Sequence, residues 1–273
     1  MSSYHPATPR ALLSSPLRHR ELLWALVKRD FIGRYKGSML GVVWSLFNPL
    51  LMLAIYTFVF SVAFKAKWGA GEESKVAFAI VLFSGMIIHS FFAECLNRAP
   101  SLIVSHPNYV KKVVFPLEIL PWMTLLSALI HLTVSFGVLL VFCLLAGVAV
   151  HAGTLLIPII LIPLILMMLG LSWLFASLGV YLRDLSQVIG MVTTVALFLA
   201  PVIYPSEILP EAYQALLTWN PITLPIIQLR DLMLWGKPIR WGSWAISLAV
   251  GLAVCQAGFW WFQKSRRGFA DVL

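Results

Sequence analysis

The sequence predicts an all-α integral membrane protein with six transmembrane helices. An amphipathic helix precedes the first span, and a re-entrant helical pair separates the fifth from the sixth. The 273 residues are 60% hydrophobic and only 11% charged, whereas an average soluble domain is about 25% charged. The mean hydropathy is +0.89, and six long apolar runs follow one another along the chain. So few charges cannot cover the surface of a soluble protein, so the lipid bilayer is the expected solvent.

The apolar runs give the predicted spans, since a helix of about 17–25 apolar residues crosses a bilayer. The spans are predicted at about 39–64, 76–92, 122–150, 155–182, 188–203 and 243–262. The fifth is short, and Pro201 and Pro205 mark its end. An even number of spans places both termini on the same side of the membrane.

The basic residues predict the orientation. With both termini in the cytoplasm, 14 of the 20 Lys and Arg residues fall on the cytoplasmic side and six on the other, as the positive-inside rule requires. The polar residues 1–16 lack the apolar core of a cleaved signal peptide, so we expect them to be retained. We therefore assign residues 1–37 to a cytoplasmic N-terminus, 38–263 to the transmembrane domain and 264–273 to a cytoplasmic tail.

Residues 17–36 have the periodicity of a surface helix. Two narrow apolar stripes run along it, one formed by Trp24, Val27, Phe31 and Tyr35 and the other by Leu22 and Leu26. Charged residues fill the remaining positions, which is typical of a helix lying in the headgroup layer. Because the apolar surface is split, one of its two sides could face a protein partner. A basic anchor that only sets the orientation is the alternative.

Two segments between spans are longer than a connection requires. The cytoplasmic segment, residues 93–121, has a predicted helical patch near 99–105, several prolines and a basic pair. We expect it to dock to another protein, with a solvated connector as the alternative. The external segment, residues 204–242, has two short amphipathic patches near 211–218 and 225–235. Neither patch can cross about 30 Å of hydrocarbon, so we predict a pair that dips in and returns as a gate, or else a surface cap.

Several kinds of chemistry are missing from the sequence. No GxxxxGK[ST] phosphate-binding loop occurs, so this chain is not expected to hydrolyse ATP alone. The 11 acidic residues lie in termini, loops or span ends, and the ionisable candidates inside spans are His89 and His131, which we expect to be packed and hydrogen-bonded. No close carboxylate pair suits glycosyl chemistry. We expect a transport protein and not an enzyme, with no catalytic residue.

Cysteine and basic-residue positions exclude further classes. Cys95, Cys143 and Cys255 lie far apart in or beside apolar runs, without the spacing of a disulfide framework or a zinc site. We therefore predict inert thiols and no metal site. The basic residues are not gathered on a polar domain, which argues against nucleic-acid binding.

Aromatic residues of the first span suggest a sugar path. Tyr56, Phe60 and Phe64 recur at every fourth position and share one helix face, while Trp44 and Phe47 lie nearer the cytoplasmic end. Ring faces pack well against the CH-rich faces of sugars and would let a long chain slide. Interface belts and helix packing are the alternative explanation for the same residues.

Five motifs occur in an order that marks one family. They are RYKGSMLGVVWSLFNPLLMLAIYTFVF at 34–60, FPLEILP at 115–121, YLRDL at 181–185, PVIYP at 201–205 and WNPIT at 219–223. From residue 20 onwards the chain resembles the membrane permease subunits of type-2 bacterial ABC exporters for polysaccharides. Within that family it resembles above all the O-antigen lipopolysaccharide export permeases, with capsule and teichoic acid permeases as near relatives.

The resemblance implies a homodimer with six spans in each chain, served by two copies of a separate ABC ATPase. It places ATP and Mg²⁺ on that ATPase and no cofactor on this chain. The amphipathic start then corresponds to the family's interface helix, residues 94–115 to its coupling loop and residues 204–242 to its periplasmic gate. The implied substrate is a polysaccharide on undecaprenyl pyrophosphate, moved across the bacterial inner membrane.

The same resemblance implies roles for individual residues. Coupling to the ATPase is expected at Asn97, Arg98, Ser105, His106, Lys111 and Lys112. Attraction of the lipid pyrophosphate is expected at Arg34 and Lys36, which could equally serve only as orientation charges. The aromatic pattern of the first span, rather than the resemblance, would place the substrate path at Trp44, Phe47, Tyr56 and Phe60. The periplasmic gate would use Tyr204, Trp219, Asn220 and Pro221. Export of another amphiphile and a membrane enzyme of glycan assembly remain as alternative functions.

Overall fold

The computed structural model describes residues 8–59, 75–111, 115–208, 210, 214 and 217–273. Every regular element in these ranges is a helix, which confirms the all-α class. The helices are α1 (Pro9–Arg18), α2 (Arg20–Gly33), α3 (Trp44–Tyr56), α4 (Lys75–Arg98), α5 (Pro107–Lys111), α6 (Ile119–Leu145), α7 (Ile157–Tyr181), α8 (Leu185–Phe198), α9 (Thr223–Met233), α10 (Trp241–Ser265) and α11 (Phe269–Val272).

Five helical stretches of the described chain are long and apolar enough to cross a membrane. They are Gly41–Val59, Val76–Arg98, Ile119–Leu145, Ala152–Tyr181 and Trp241–Val272. These stretches correspond to the first four predicted spans and the sixth. The predicted fifth span forms α8, whose 14 residues measure about 21 Å, less than the hydrocarbon thickness of about 30 Å. The six-span count is therefore not confirmed.

Helices α7 and α10 form the tightest helix pair of the core. Gly170 on α7 and Gly258 on α10 lie against the backbone of the opposite helix, where an added Cβ would collide. Such small residues let membrane helices approach closely. Beside this seam the buried Trp173 packs edge-to-face against Phe259, with ring centroids 4.9 Å apart.

The N-terminal stretch differs from the predicted single helix. It folds as α1 and α2, which meet at His19. Helix α2 buries Leu23, Leu26 and Val27, whereas Trp24 is 63% exposed. Trp24 therefore lies off the face that packs against α6, which is the face that also carries Asp30.

The helical patch predicted near 99–105 is also misplaced. Helix α4 continues to Arg98, the residues after it form successive turns, and the loop's short helix is α5. Pro100 explains the end of α4, because a proline disfavours helical geometry in the residue before it. Pro107 begins α5 at a first-turn position that suits proline.

Helix α9 is the second patch predicted in the external segment. Nine of its eleven residues are buried, against the segment Ala152–Leu156, α4 and α7, which is unlike a surface cap. Arg230 on α9 is buried and donates to the carbonyl oxygens of Val81, Pro201 and Val202. Arg230 thereby joins helix α4 to the segment that comes after α8. The first predicted patch lies mostly outside the described residues, so the re-entrant pair is not confirmed.

Candidate functional site

Helices α2, α4 and α6 meet at a cluster of charged and polar side chains, which we call the junction cluster. Its members are Asp30, Arg34, Glu94, Arg98, Ser127 and His131. Glu94 and Arg98 lie one turn apart on α4, and Ser127 and His131 one turn apart on α6. This spacing places each pair on one helix face.

Asp30 is the centre of the junction cluster. The Arg98 guanidinium donates to both carboxylate oxygens, with a distance of 3.0 Å from Nη1 to Oδ2. Ser127 Oγ donates to Oδ2 at 2.7 Å, and Arg34 Nη2 lies 3.3 Å from the same oxygen. One carboxylate on α2 is thus bound from both membrane-spanning helices that α2 approaches.

The surroundings keep Asp30 ionised. Burial alone would raise the pKa of its carboxyl group, but hydrogen bonds from Arg98 and Ser127 and the charges of Arg98 and Arg34 outweigh that effect. The pKa therefore lies below its ordinary value of 3.8. A carboxylate with two cationic neighbours is the charge-assisted arrangement that makes hydrogen bonds strong.

Glu94 is the second acid of the junction cluster. Arg34 forms an ion pair with it, and His131 Nδ1 lies 3.4 Å from its Oε2. Arg34, expected at the lipid pyrophosphate, is thus already shared between two carboxylates. Lys36, expected in the same role, is exposed.

A cavity of about 220 Å³ adjoins the junction cluster between α3, α4 and α6. Half of its sixteen lining residues carry hydrogen-bonding groups, namely Tyr35, Ser45, Asn48, Tyr56, Ser90, Glu94, His131 and Ser135. Within the described chain, the side chains of Asn48, Ser90 and Ser135 hydrogen-bond to no other protein group. Their hydroxyl and amide groups are available to water or to a ligand.

The residues predicted for the substrate path do not all reach this cavity. Tyr56 lies in its lining. Trp44 and Phe47 pack edge-to-face on the exposed side of α3, with centroids 5.2 Å apart, and lie outside the lining. Phe60 lies outside the described residues.

The polar lining itself was missed from the sequence, although a signal for it exists. Ser90 and Glu94 are four residues apart on α4, and Ser127, His131 and Ser135 recur every four residues on α6. Such polar stripes on otherwise apolar helices face a neighbouring helix or a cavity.

The residues predicted to meet the ATPase divide into two groups. Arg98 turns towards Asp30, and Asn97 accepts a hydrogen bond from Thr193 on α8 at 3.2 Å. Ser105 and Lys111 are exposed and His106 is half-buried in the loop. Lys112 lies outside the described residues. Among the described members of the predicted coupling set, Asn97, Ser105 and Lys111 are exposed, and the last two lie in the loop.

Stacked rings stiffen this part of the loop. The ring of His106 stacks on Tyr109 at 5.3 Å, and Tyr109 stacks on Phe115 at 4.1 Å. Arg29 on α2 donates to the Tyr109 hydroxyl at 2.7 Å. The loop is thus bound to the same helix as the junction cluster.

Two residues of the predicted gate bind the carboxyl end of α8. Tyr204 donates its hydroxyl to the Phe198 carbonyl and Asn220 its amide to the Ala196 carbonyl, both at 2.8 Å. Carbonyls at a helix end have no partner within the helix, so these side chains stabilise the end of α8. Trp219 is 85% exposed, and it lines with Pro221 a groove of about 270 Å³ beside α7 and α10.

Residues 21–234 match the sequence profile of the family described as ABC-2 type transporter. The chain belongs to this family. The matched residues include the junction cluster, the loop between α4 and α6, and the segment from α8 to α9. Membership of the ABC-2 family and the apolar helices together indicate a multi-pass membrane protein.

Relatives of this ABC-2 family member align over most of its length. An O-antigen export system permease protein RfbA from Klebsiella pneumoniae is 26% identical over 93% of this chain and 95% of the relative. RfbA from Myxococcus xanthus is 28% identical over 75% of this chain and 77% of the relative. The polysialic acid transport protein KpsM from Escherichia coli is 22% identical over 72% and 75%, respectively.

Proposed function

We propose that this protein is the permease of an ATP-driven exporter that moves a polysaccharide on undecaprenyl pyrophosphate across the bacterial inner membrane. An O-antigen chain is the substrate we favour. The observation that carries the proposal is the alignment with RfbA over 93% of this chain and 95% of the relative. An alignment of that extent includes the membrane-spanning helices, the cytoplasmic loop and the external segment together.

The proposed assembly contains two copies of this chain and two copies of a separate ABC ATPase, which binds ATP and Mg²⁺. Membership of the ABC-2 family supports the ATPase, and the exposed loop residues Ser105 and Lys111 offer it a docking surface. The excess of basic residues on the side of the termini supports a cytoplasmic position for that surface.

The cavity beside the junction cluster supports contact with sugars. Its hydroxyl and amide groups can exchange hydrogen bonds with sugar hydroxyls, and the ring of Tyr56 offers an apolar face. Lys36, exposed before α3, would attract the pyrophosphate, with Arg34 shared between that role and the ion pairs of the junction cluster.

The function is tested by deleting the gene in its own bacterium and restoring it on a plasmid. We expect surface O-antigen to be lost and lipid-linked polymer to accumulate on the cytoplasmic side, with both effects reversed by the plasmid. Loss of capsule or teichoic acid instead would identify another substrate of the same kind of permease. Failure to synthesise any lipid-linked polymer would point to an enzyme of glycan assembly.

The path is tested by Tyr56→Ala. The ring borders an open cavity, so its removal should cost less than the roughly 3–5 kcal/mol typical of a fully packed ring, and expression should remain near normal. We expect export to fall, and Tyr56→Phe to retain it because stacking requires the ring and not the hydroxyl. Ile55→Ala, at an exposed neighbouring position, is the control. Full export by Tyr56→Ala would exclude this side chain from the path.

A further inference from the structure

Glu118 joins three parts of the molecule at the end of the cytoplasmic loop. Its carboxylate accepts hydrogen bonds from Arg266, after α10, at 2.7 Å and from Ser15, on α1, at 3.0 Å. Its backbone carbonyl accepts from the Trp173 indole of α7 at 3.1 Å. The residue thus connects both terminal segments to the point where the loop enters α6.

Arg266 binds the loop at a second point. Its other terminal nitrogen donates to the backbone carbonyl of Phe115 at 2.8 Å. The side chains of Arg266 and Glu118 are both only 14% exposed. Partial burial strengthens such charge-assisted bonds relative to surface ion pairs. A single guanidinium therefore fixes both the start and the end of the short segment 115–118.

The C-terminal segment is itself firmly packed. Phe269 is completely buried and contacts Phe262 edge-to-face, with centroids 5.6 Å apart. Tyr181 at the end of α7 donates to the Ser265 carbonyl at 3.2 Å. Arg266 thus extends from a packed element and not from a loose tail. Its hydrogen bonds can therefore restrict movement of the loop.

Phe115 connects Arg266 to the rest of the loop, because the ring of Phe115 stacks on Tyr109, which stacks in turn on His106. We propose that Glu118 and Arg266 are positioning residues that hold the coupling loop in place, so that movement of the ATPase shifts the spans and not the loop alone. This inference rests on the proposed function. Without the pair, movement of the ATPase would displace the loop without displacing the spans. ATP would then be hydrolysed with little transport.

The first test measures loop position without substrate or ATPase. Spin labels at the exposed positions Asn108 and Asp271 report the distance between the loop and the C-terminal segment, while the three native cysteines are buried. We expect a broader distance distribution in Arg266→Gln than in the unsubstituted background. Arg267→Gln, which removes the same charge from an exposed neighbour, should leave it unchanged. Identical distributions in both variants would overturn the proposal.

The second test measures coupling in proteoliposomes that contain the protein and its co-purifying ATPase. Arg266→Gln and Glu118→Gln should each lower the glycan moved per ATP hydrolysed by about tenfold or more, the lower end of the scale for one lost hydrogen bond to a charged group. The charge swap E118R/R266E should recover part of the loss, and Arg267→Gln should resemble the unsubstituted protein. If Arg266→Gln fails to fold, Arg266→Lys takes its place. A smaller loss is expected because lysine keeps the charge, although it cannot bind the Glu118 carboxylate and the Phe115 carbonyl in the same fixed geometry.

The outcomes separate this inference from the proposed function. Normal glycan movement per ATP in both Arg266→Gln and Glu118→Gln would overturn the positioning role and leave the transport function standing. An unsubstituted protein that moves no glycan with ATP would contradict the transport function, whereas the spin-label distances would still show whether the pair holds the loop.

Discussion

A single carboxylate attaches α2 to its two neighbouring helices. Asp30 is bound by Arg98 from α4 and Ser127 from α6, so α2 is attached to both helices at one point. Removing one partner from such a cluster leaves the others with unsatisfied charge. The docking of α2 should therefore be unusually sensitive to this residue.

The replacement Asp30→Asn should loosen α2. An amide retains the size of the side chain but loses the charge, so we expect a loss of about 1.5–3 kcal/mol, the net contribution of a hydrogen bond to a charged group. Faster hydrogen exchange of the α2 backbone amides would show this directly. Glu21→Gln, at an exposed position of the same helix, should have little effect. Equal protection of α2 in both variants would contradict the central role of Asp30.

Individual residues of the site were only partly predictable. Tyr56 and Arg34 were identified through periodicity and resemblance, and the structure places one in the cavity and the other in the junction cluster. The pairing of Asp30 with Arg98 was not predictable, because the two residues are 68 positions apart. Their contact depends on which face of α2 packs against α6, a choice that the two competing stripes left open.

At the scale of elements, hydropathy located most of the spanning helices but not the irregular ones. Long apolar runs have one stable structure in a bilayer, since a helix satisfies every backbone hydrogen bond internally. The ends of α4 and α8 depend instead on prolines and on capping side chains such as Tyr204 and Asn220. Asn220 binds a carbonyl 24 residues before it, and hydropathy does not report such contacts, so helix boundaries in the loop and the external segment were less predictable.

The pairing of α7 with α10 should depend on its glycines. Gly258→Leu would drive a side chain into the backbone around Gly170, and overpacking of this kind typically costs about 1–3 kcal/mol and occasionally more. We expect a lower melting temperature of the detergent-solubilised protein and reduced yield. Gly242→Leu, at the start of the same helix with open space around it, should melt near the unsubstituted protein. A normal melting temperature for Gly258→Leu would show that these helices can separate without cost.

For the whole molecule, the distribution of basic residues predicts an orientation that is open to direct test. In intact cells, an impermeant thiol reagent should label Ala152→Cys but neither Ser105→Cys nor Ala270→Cys, because 14 of 20 basic residues favour cytoplasmic termini. All three positions are exposed, so access to the reagent and not burial decides the result. Labelling of Ser105→Cys in intact cells would reverse the orientation.

Three groups of contacts link the loop, the C-terminal segment and α2 to one another. The stacked rings of the loop, the Glu118–Arg266 pair and the junction cluster are connected through α2, α6 and the C-terminal segment. Rigid packed elements of this kind transmit a small displacement as a shift of whole helices. In the proposed exporter, the ATPase supplies that displacement and the cavity beside α3 responds to it.

The most direct measurement is the movement of lipid-linked polysaccharide in proteoliposomes that contain this protein with or without its ATPase. Polymer that becomes exposed on the opposite leaflet can be detected with an impermeant lectin or glycosidase. The account predicts exposure only when the protein, the ATPase and hydrolysable ATP are all present. Equal exposure without the ATPase, or none when all three components are present, would contradict it.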